Sequence, residues 1–149
     1  MEIKRIGIAD AALVIGLFDL YRQFYKQPPD LVIAEKFIKE RLQKNESVIF
    51  VALEDNVPLG FTQLYPKYSS MRASKNWILN DLYVESAHRK KGIGEALIKT
   101  AMNFAKNEGA TFVQLETAID NYTAQSLYEA IGFEKQPPDT EFLLYRIPV

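Results

Sequence analysis

The sequence predicts an α/β protein with a single domain, residues 1–149, and three observations carry that expectation. Apolar spacing switches along the chain between a period of two and a period of about 3.6, giving strand-like and helix-like segments in the order βααβββαβαββ. The run from Trp77 to Val84 is apolar on both faces apart from Asn80 and Asp81, as in a central strand covered on both sides. With 149 residues and 48% hydrophobic content, the chain has material for one sizeable core.

The elements follow in order. Glu2 to Ile6 alternates and reads as a first strand, after which Asp10 can cap a helix carrying Leu13, Leu17, Leu20 or Tyr21, and Phe24 on one face. Gln27-Pro28-Pro29-Asp30 breaks the chain. A second helix through about Gln43 turns Ile33, Phe37, Ile38 and Leu42 inward, leaving Glu35, Lys39, Glu40 and Lys44 as a solvated face or a rim above a cationic substrate. Ser47 to Leu53 and Pro58 to Tyr65 form a hairpin around Glu54-Asp55-Asn56, followed by a polar loop from Pro66 to Lys75. Beyond the central strand, Ile93, Leu97, Thr100 or Ala101, and Phe104 trace a helical stripe that Gly109 ends. Thr111 to Ala118 is the next strand and Asn121 to Ile131 the last helix. Phe133 to Lys135 and Phe142 to Ile147 are expected to close the sheet around Pro137-Pro138-Asp139.

Composition removes several function classes. A net charge of -1 offers no global attraction for nucleic acid, and the basic cluster at His88 to Lys91 is too short to be a basic arm. The chain has no cysteine, hence no disulfide, thiolate zinc site or cysteine nucleophile, and one histidine cannot build a histidine metal cluster. No metal is expected. The apolar run Ala11 to Phe18 is bracketed by Asp10 and Asp19 and reads as a helix rather than a secretory leader. No stretch approaches the ~18 apolar residues of a membrane span, so a cytoplasmic protein without membrane or nucleic-acid partners is expected.

Chemistry concentrates where the central strand ends. His88-Arg89-Lys90-Lys91-Gly92-Ile93-Gly94-Glu95 joins a strand to a helix with basic residues and two glycines. Glycines let backbone approach a ligand and adopt positive φ, and free first-turn amides favour a di-anion such as pyrophosphate. A dinucleotide turn needs a third glycine where Leu97 stands, and no G-x-x-x-x-G-K-[ST] loop is present. Arg89 to Gly94 instead reads R-x-x-G-x-G, which resembles the [QR]-x-x-G-x-[GA] signature of the GCN5-related N-acetyltransferase superfamily. Asn121, Ala124, Tyr128, Gly132 and Phe133 resemble a second pattern of that superfamily, N-x-x-A-x-x-x-Y-x-x-x-G-F, on its coenzyme A-binding second helix. The element order is also similar to the superfamily's layout, so the resemblance spans essentially the whole chain.

That resemblance implies a mixed, mostly antiparallel sheet flanked by helices, and acetyl transfer from acetyl-coenzyme A to a primary amine by direct attack. It places Arg89, Lys90, Lys91, Gly92, Ile93, Gly94 and Glu95 around the pyrophosphate. Backbone of Leu82, Tyr83 and Val84 would meet the pantetheine arm and acetyl group, and Asn121 and Ala124 would meet the arm from the second helix. Tyr128 takes the role of proton donor to the departing thiolate, although Ala124, Leu127, Tyr128 and Ile131 are also spaced as a core stripe. For the base, Asp81 competes with Glu116; a buried Asp81 has a raised pKa, yet it equally suits a structural role accepting amides. Polyamine acetyltransferases of the superfamily carry a Glu-Asp pair where this chain has Asn80-Asp81. A cationic or amino-acid-like acceptor, an aromatic wall of Tyr21, Phe24, Tyr25, Tyr65 and Tyr68, and a homodimer complete the expectation. A peptide acetyltransferase, whose groove a lid at Pro66 to Lys75 would close, and a non-catalytic acyl-coenzyme A sensor are the alternatives.

Overall fold

A computed structural model describes residues 1–149, and chain contacts divide it into two units, Met1–Glu116 and Thr117–Val149. The first unit holds a five-stranded sheet in sequence order: β1 (Glu2–Ile6), β2 (Val48–Glu54), β3 (Val57–Ser69), β4 (Ser74–Val84) and β5 (Val113–Gln114). Neighbours from β1 to β4 are antiparallel, and β5 runs parallel to β4. With helices α1 (Ala12–Phe24), α2 (Leu31–Gln43) and α3 (Ile93–Asn107), this is the mixed α/β class the apolar pattern predicts.

The two faces of β2 explain the layering. Ile49, Val51 and Leu53 join Val14, Leu17 and Phe18 of α1 and Ala34 and Ile38 of α2 in one core cluster. On alternate positions, Phe50 meets Phe104 of α3 edge-on at 5.8 Å, and Trp77 meets the same ring at 5.1 Å. Each fully buried aliphatic or aromatic side chain contributes about 1.5–3 kcal/mol, so a strand buried on both faces anchors both layers.

Several local expectations are corrected. Asp10 does not cap α1: a single 3₁₀ turn, Ile8–Asp10, precedes the helix, and the Asp10 carboxylate pairs with Lys4 at 3.4 Å. The buried stripe of α1 is Val14, Leu17 and Phe18, while Leu20 and Phe24 are exposed. On α2 the cap is Asp30, whose carboxylate accepts the Ile33 amide at 3.1 Å. Ile33 is exposed, and Ala34 and Ile38 supply the buried face. Glu35 and Glu40 of α2 pair with Lys39 and Lys44 one turn on, which makes this charged face a self-neutralised, solvated one. Buried Asp19 fastens α1 to the start of α2, accepting the Asp30 amide at 2.9 Å and the Gln23 side chain at 3.0 Å.

The expected loop from Pro66 to Lys75 is mostly sheet. Strands β3 and β4 stay paired out to Ser69 and Ser74, with Pro66 opposite Trp77, so only Ser70 to Ala73 turns. The β2–β3 turn is Asp55-Asn56, both at positive φ (50° and 64°), the geometry that matches strand twist in a two-residue hairpin.

Strand β5 is much shorter than Thr111 to Ala118. The buried Asn76 side chain takes the amides of Thr111 and Phe112 on its Oδ1 at 2.8 and 3.2 Å, and the ladder starts only at Val113. In the second unit, α4 (Tyr122–Ile131) forms as expected, but no strand follows it. The predicted closing strands at Phe133 to Lys135 and Phe142 to Ile147 are absent. Asp139 Oδ1 instead accepts the amides of Glu141 and Phe142 at 2.9 and 3.0 Å, while Pro137 and Pro138 have no amide to offer a ladder.

Candidate active site

The ladder between β4 and β5 pairs Trp77 with Val113 and Ile78 with Gln114, and then stops. Leu79 to Val84 therefore remain bonded to β3 on one side and lack a strand on the other. Side chains meet part of this backbone: the Asn80 carbonyl accepts the Tyr21 hydroxyl and the Val84 carbonyl accepts Arg89. Leu82, Tyr83 and Val84 occupy this opened stretch and are half-buried.

Gly60 sets how closely β3 supports it. A Cβ at Gly60 would stand 2.8 Å from the Tyr83 carbonyl oxygen and 3.2 Å from the Val84 Cα, so any larger residue forces the two backbones apart. Just beyond, the Glu85 amide donates to the Leu59 carbonyl at 2.9 Å and holds the end of β4 against β3.

The basic loop then turns sharply. Lys90 has φ 63° and Gly92 φ 82°, and Gly92 is the residue preceding α3. Its carbonyl accepts the Ala96 amide at 3.1 Å, but it has no side chain with which to cap the helix. The amides of Ile93, Gly94 and Glu95 thus open α3 without intrahelical acceptors, at the positive end of the helix dipole. No heavy atom lies within 4 Å of a Cβ placed on Gly92, so the space in front of the turn is open. Gly94 lies inside the first turn of α3 and does not share the positive φ expected of it, because the helix has already begun at Ile93. Glu95 pairs with Lys99 at 2.9 Å on the helix surface.

Arg89 is turned back as a latch. Its Nε donates to the Val84 carbonyl at 2.8 Å, and its guanidinium stands 5.3 Å from the Tyr83 ring and 6.0 Å from the Phe24 ring. Lys90 and Lys91 remain exposed, as does the signature's neighbour Glu85 only in part. His88 ends a short turn whose amide donates to the Glu85 carbonyl at 2.8 Å.

Behind the opened stretch lies a buried polar group. The β3–β4 register slips between Gln63 and Leu64, which pair with Asp81 and Leu79, so Asn80 is the extra residue of a bulge. Asp81 is 2% exposed. Its Oδ1 accepts the Asn80 amide at 2.7 Å and its Oδ2 accepts the Gln63 amide at 2.5 Å. Burial pushes the Asp81 carboxyl above the usual carboxylate range, and the donors from Asn80, Gln63 and Tyr21 oppose that shift without cancelling it. Burial, with the nearby Asp81 charge adding to it, also pushes the hydroxyls of Tyr21 and Tyr65 well above the ordinary phenol. Tyr21 is held by edge contact with Phe61 at 6.0 Å and its hydroxyl donates to the Asn80 carbonyl at 3.3 Å.

The remaining candidates are carried by other segments of the chain. Glu116 is exposed, two residues beyond the end of β5. Asn121, Ala124 and Tyr128 stand on α4 in the second unit. Asn121 Oδ1 caps that helix by accepting the Ala124 amide at 3.2 Å. Tyr128 is half-buried rather than a fully buried core residue. The Phe133 amide donates to the Tyr128 carbonyl at 3.0 Å, the Gly132 amide to the Glu129 carbonyl at 3.1 Å, and Gly132 has φ 122°. This paired closure, with the Tyr128 and Phe133 rings in edge contact at 6.0 Å, is the Schellman helix ending. It accounts physically for a Tyr followed at fixed spacing by Gly-Phe. Sequence reasoning missed Gln63 and Ser47, which join Asp81 from β3 and the start of β2; the signal was a glutamine inside the otherwise well-patterned run Leu59 to Tyr65.

Comparison with known proteins places these features. The family model described as "Acetyltransferase (GNAT) family" matches residues 14–133. The uncharacterized N-acetyltransferase YhfO of Bacillus subtilis is 44% identical over 149 residues, covering 100% of this chain and 98% of its own. A crystal structure of a probable acetyltransferase superposes with TM-score 0.88 at 37% identity, over 100% of this chain and 98% of that one. The aminoglycoside N-acetyltransferase AAC(6')-Iy, in complex with CoA, shares the fold with TM-score 0.80 at 21% identity, over 98% and 93% of the two chains.

Proposed function

Because this chain belongs to the acetyltransferase (GNAT) family, we propose that it transfers an acetyl group from acetyl-coenzyme A to the primary amine of a small cationic or amino-acid-like acceptor, by direct attack. The observation that carries this reading is the opened stretch of β4, followed after a short 3₁₀ turn and the basic loop by Gly92 and a helix start with no side-chain cap. The residues fit the donor. Amides of Ile93, Gly94 and Glu95 with Lys90 and Lys91 suit its pyrophosphate, and the backbone of Leu82 to Val84, beyond the end of the β4–β5 ladder, suits the amide-bearing arm and the thioester carbonyl. Acetyl-coenzyme A supplies an activated acyl group.

The chain's own groups then divide the proton work. An alkyl ammonium with pKa near ~10.4 is almost wholly protonated at neutral pH, so the amine must lose a proton before it attacks. Asp81 takes that proton, directly or through water; burial raises its carboxyl above the usual carboxylate range, which makes its charged form a stronger base. Fixed β4 amides stabilise the negative charge that develops on the carbonyl oxygen. Tyr128, a phenol with pKa near ~10 in its ordinary state, returns a proton to the departing thiolate.

For the acceptor, Tyr21 and Tyr65 beside Asp81 favour a cation against an aromatic wall. Phe24 and Tyr68 already face Arg89 and Lys75 of the chain itself. A peptide acceptor is favoured by the short Ser70 to Ala73 turn, which leaves no long lid over the sheet. Thiol release measured over a panel of amines and peptides separates these readings, and donor binding without release from any of them would favour a sensor. In the same assay Tyr128→Phe is expected to slow release by about 10²-fold with donor affinity retained. Unchanged turnover would remove Tyr128 from the mechanism.

We read the assembly as a homodimer. Phe142, Leu143, Leu144, Tyr145 and Ile147 are 73–86% exposed, an apolar segment of strand-forming residues that a second copy can cover. Sedimentation should give twice the 17.1 kDa chain mass, and a single-chain mass at all concentrations would refute the dimer.

A further inference from the structure

We infer that Ser47 and Gln63 form a buried positioning relay that sets the proton affinity of Asp81 and the orientation of its carboxylate. The inference rests on the reading of Asp81 as the base. The three side chains come from adjacent strands: Ser47 immediately precedes β2, Gln63 lies in β3 and Asp81 in β4, with Gln63 directly opposite Asp81 in the register. Ser47 is 5% exposed, Gln63 0% and Asp81 2%. The Ser47 hydroxyl donates to Gln63 Oε1 at 2.7 Å, and Gln63 Nε2 donates to Asp81 Oδ2.

The polarity of this chain of bonds matters more than its existence. An amide can present either its oxygen or its nitrogen to a neighbour. By occupying the oxygen, Ser47 leaves Gln63 only its N–H groups to offer Asp81. A donor stabilises the charged carboxylate, whereas an amide oxygen would repel it. Asn80 supplies the other oxygen of Asp81 from the bulge, and Thr62 fixes the backbone by donating to the Asp81 carbonyl at 2.8 Å. With both carboxylate oxygens anchored, the direction in which the remaining lone pairs point is fixed.

A glutamine buried in a sheet between two apolar layers is costly unless every polar atom is used, and an aliphatic side chain there would add burial instead. The site spends that cost on a carboxylate whose charged form burial disfavours. Burial and donors thus pull in opposite directions on one group, and Gln63 shares the lowering side of the balance with Asn80 from the bulge and Tyr21 from α1.

The test compares the full-length protein with Gln63→Met, Ser47→Ala, Ser47→Thr and the Ser47→Ala/Gln63→Met double variant. Two readouts are taken: the acid limb of the kcat/KM profile, and the Asp81 carboxyl titration followed by carbon-13 NMR in labelled protein. Gln63→Met keeps the volume and removes the donor, so both midpoints should rise by about one pH unit, with about tenfold lower kcat/KM below the limb and convergence above it. Ser47→Ala should move both in the same direction by less, and Ser47→Thr should restore them. The double variant should match Gln63→Met alone, because Ser47 acts only through Gln63. Midpoints that stay in place in folded Gln63→Met, or shifts that add in the double variant, would overturn the relay. A carboxyl midpoint that moves while the kinetic limb stays would instead leave the relay standing and remove Asp81 as the base. Thermal unfolding of each variant checks folding, and a purely architectural role would lower that midpoint without moving either pH midpoint.

Discussion

Asp81→Asn is expected to lower kcat/KM by about 10²–10⁴-fold, the usual contribution of a positioned acid–base group, while acetyl-coenzyme A affinity stays within a factor of about two. The substitution keeps shape and hydrogen-bonding capacity, and the exposed Asn80 amide can turn to meet the new donor. Stability should move the other way. Burial raises the folded-state pKa of Asp81, so the folded chain holds that proton to higher pH than the unfolded chain. The associated stability is fully present below the unfolded carboxylate value of about 3.9 and is lost as pH rises through the raised folded value. An amide has no such loss. The variant should therefore be at least as stable as the parent near pH 7, with its advantage shrinking toward pH 4. Stopped turnover with unimpaired urea unfolding at neutral pH is the expected pair of results. Retained turnover would turn attention to Glu116 or to water.

Gly92→Val should nearly abolish donor binding. A β-branched residue at φ 82° is strained by roughly 1–3 kcal/mol, and the turn escapes only by rerouting. Rerouting withdraws the amides that begin α3. Each hydrogen bond to a charged group is worth about 1.5–3 kcal/mol, so losing two raises Kd by about 10²–10⁴-fold. Because no atom lies within 4 Å of the added Cβ, the fold itself has room for the side chain. Isothermal titration with acetyl-coenzyme A measures the change, and thermal unfolding of the free protein serves as control. Normal affinity in a folded variant would defeat the assignment of the turn to the pyrophosphate.

Periodicity located α1 to α3 and the strands β2 to β4 because each buries side chains from its own face or faces, a property written in side-chain type, while α4 keeps the helical spacing with no fully buried residue. Element ends were less visible where a single polar side chain competes with the backbone. Asn76 claims the first amides of β5 and Asp139 those of the last expected strand, and neither event has a periodic signature. The basic loop was legible because glycine tolerates a conformation that other residues resist, and the spacing of Tyr128 to Phe133 because a Schellman ending demands it. Arg89 was legible as a charge and not as a latch, since its bond to the Val84 carbonyl depends on where the chain turns back. The Ser47–Gln63–Asp81 relay could not be read at all without the register. Residues that are 16 and 18 apart in sequence meet only once β2, β3 and β4 are laid side by side.

If the donor binds as proposed, the early end of the β4–β5 ladder would also couple folding to donor supply. An arm rich in amides that lies along Leu82 to Val84 would serve as a surrogate strand, closing a sheet edge that the chain itself leaves open. Donor bound only by the folded state adds RT ln(1 + [L]/Kd), about 2.7 kcal/mol at a hundredfold excess over Kd. Against the 5–15 kcal/mol or so that typically separates folded from unfolded chains, that is a substantial share. On that reading, thermal unfolding should shift upward when acetyl-coenzyme A is added to the free protein, and an unchanged midpoint at saturating donor would refute it.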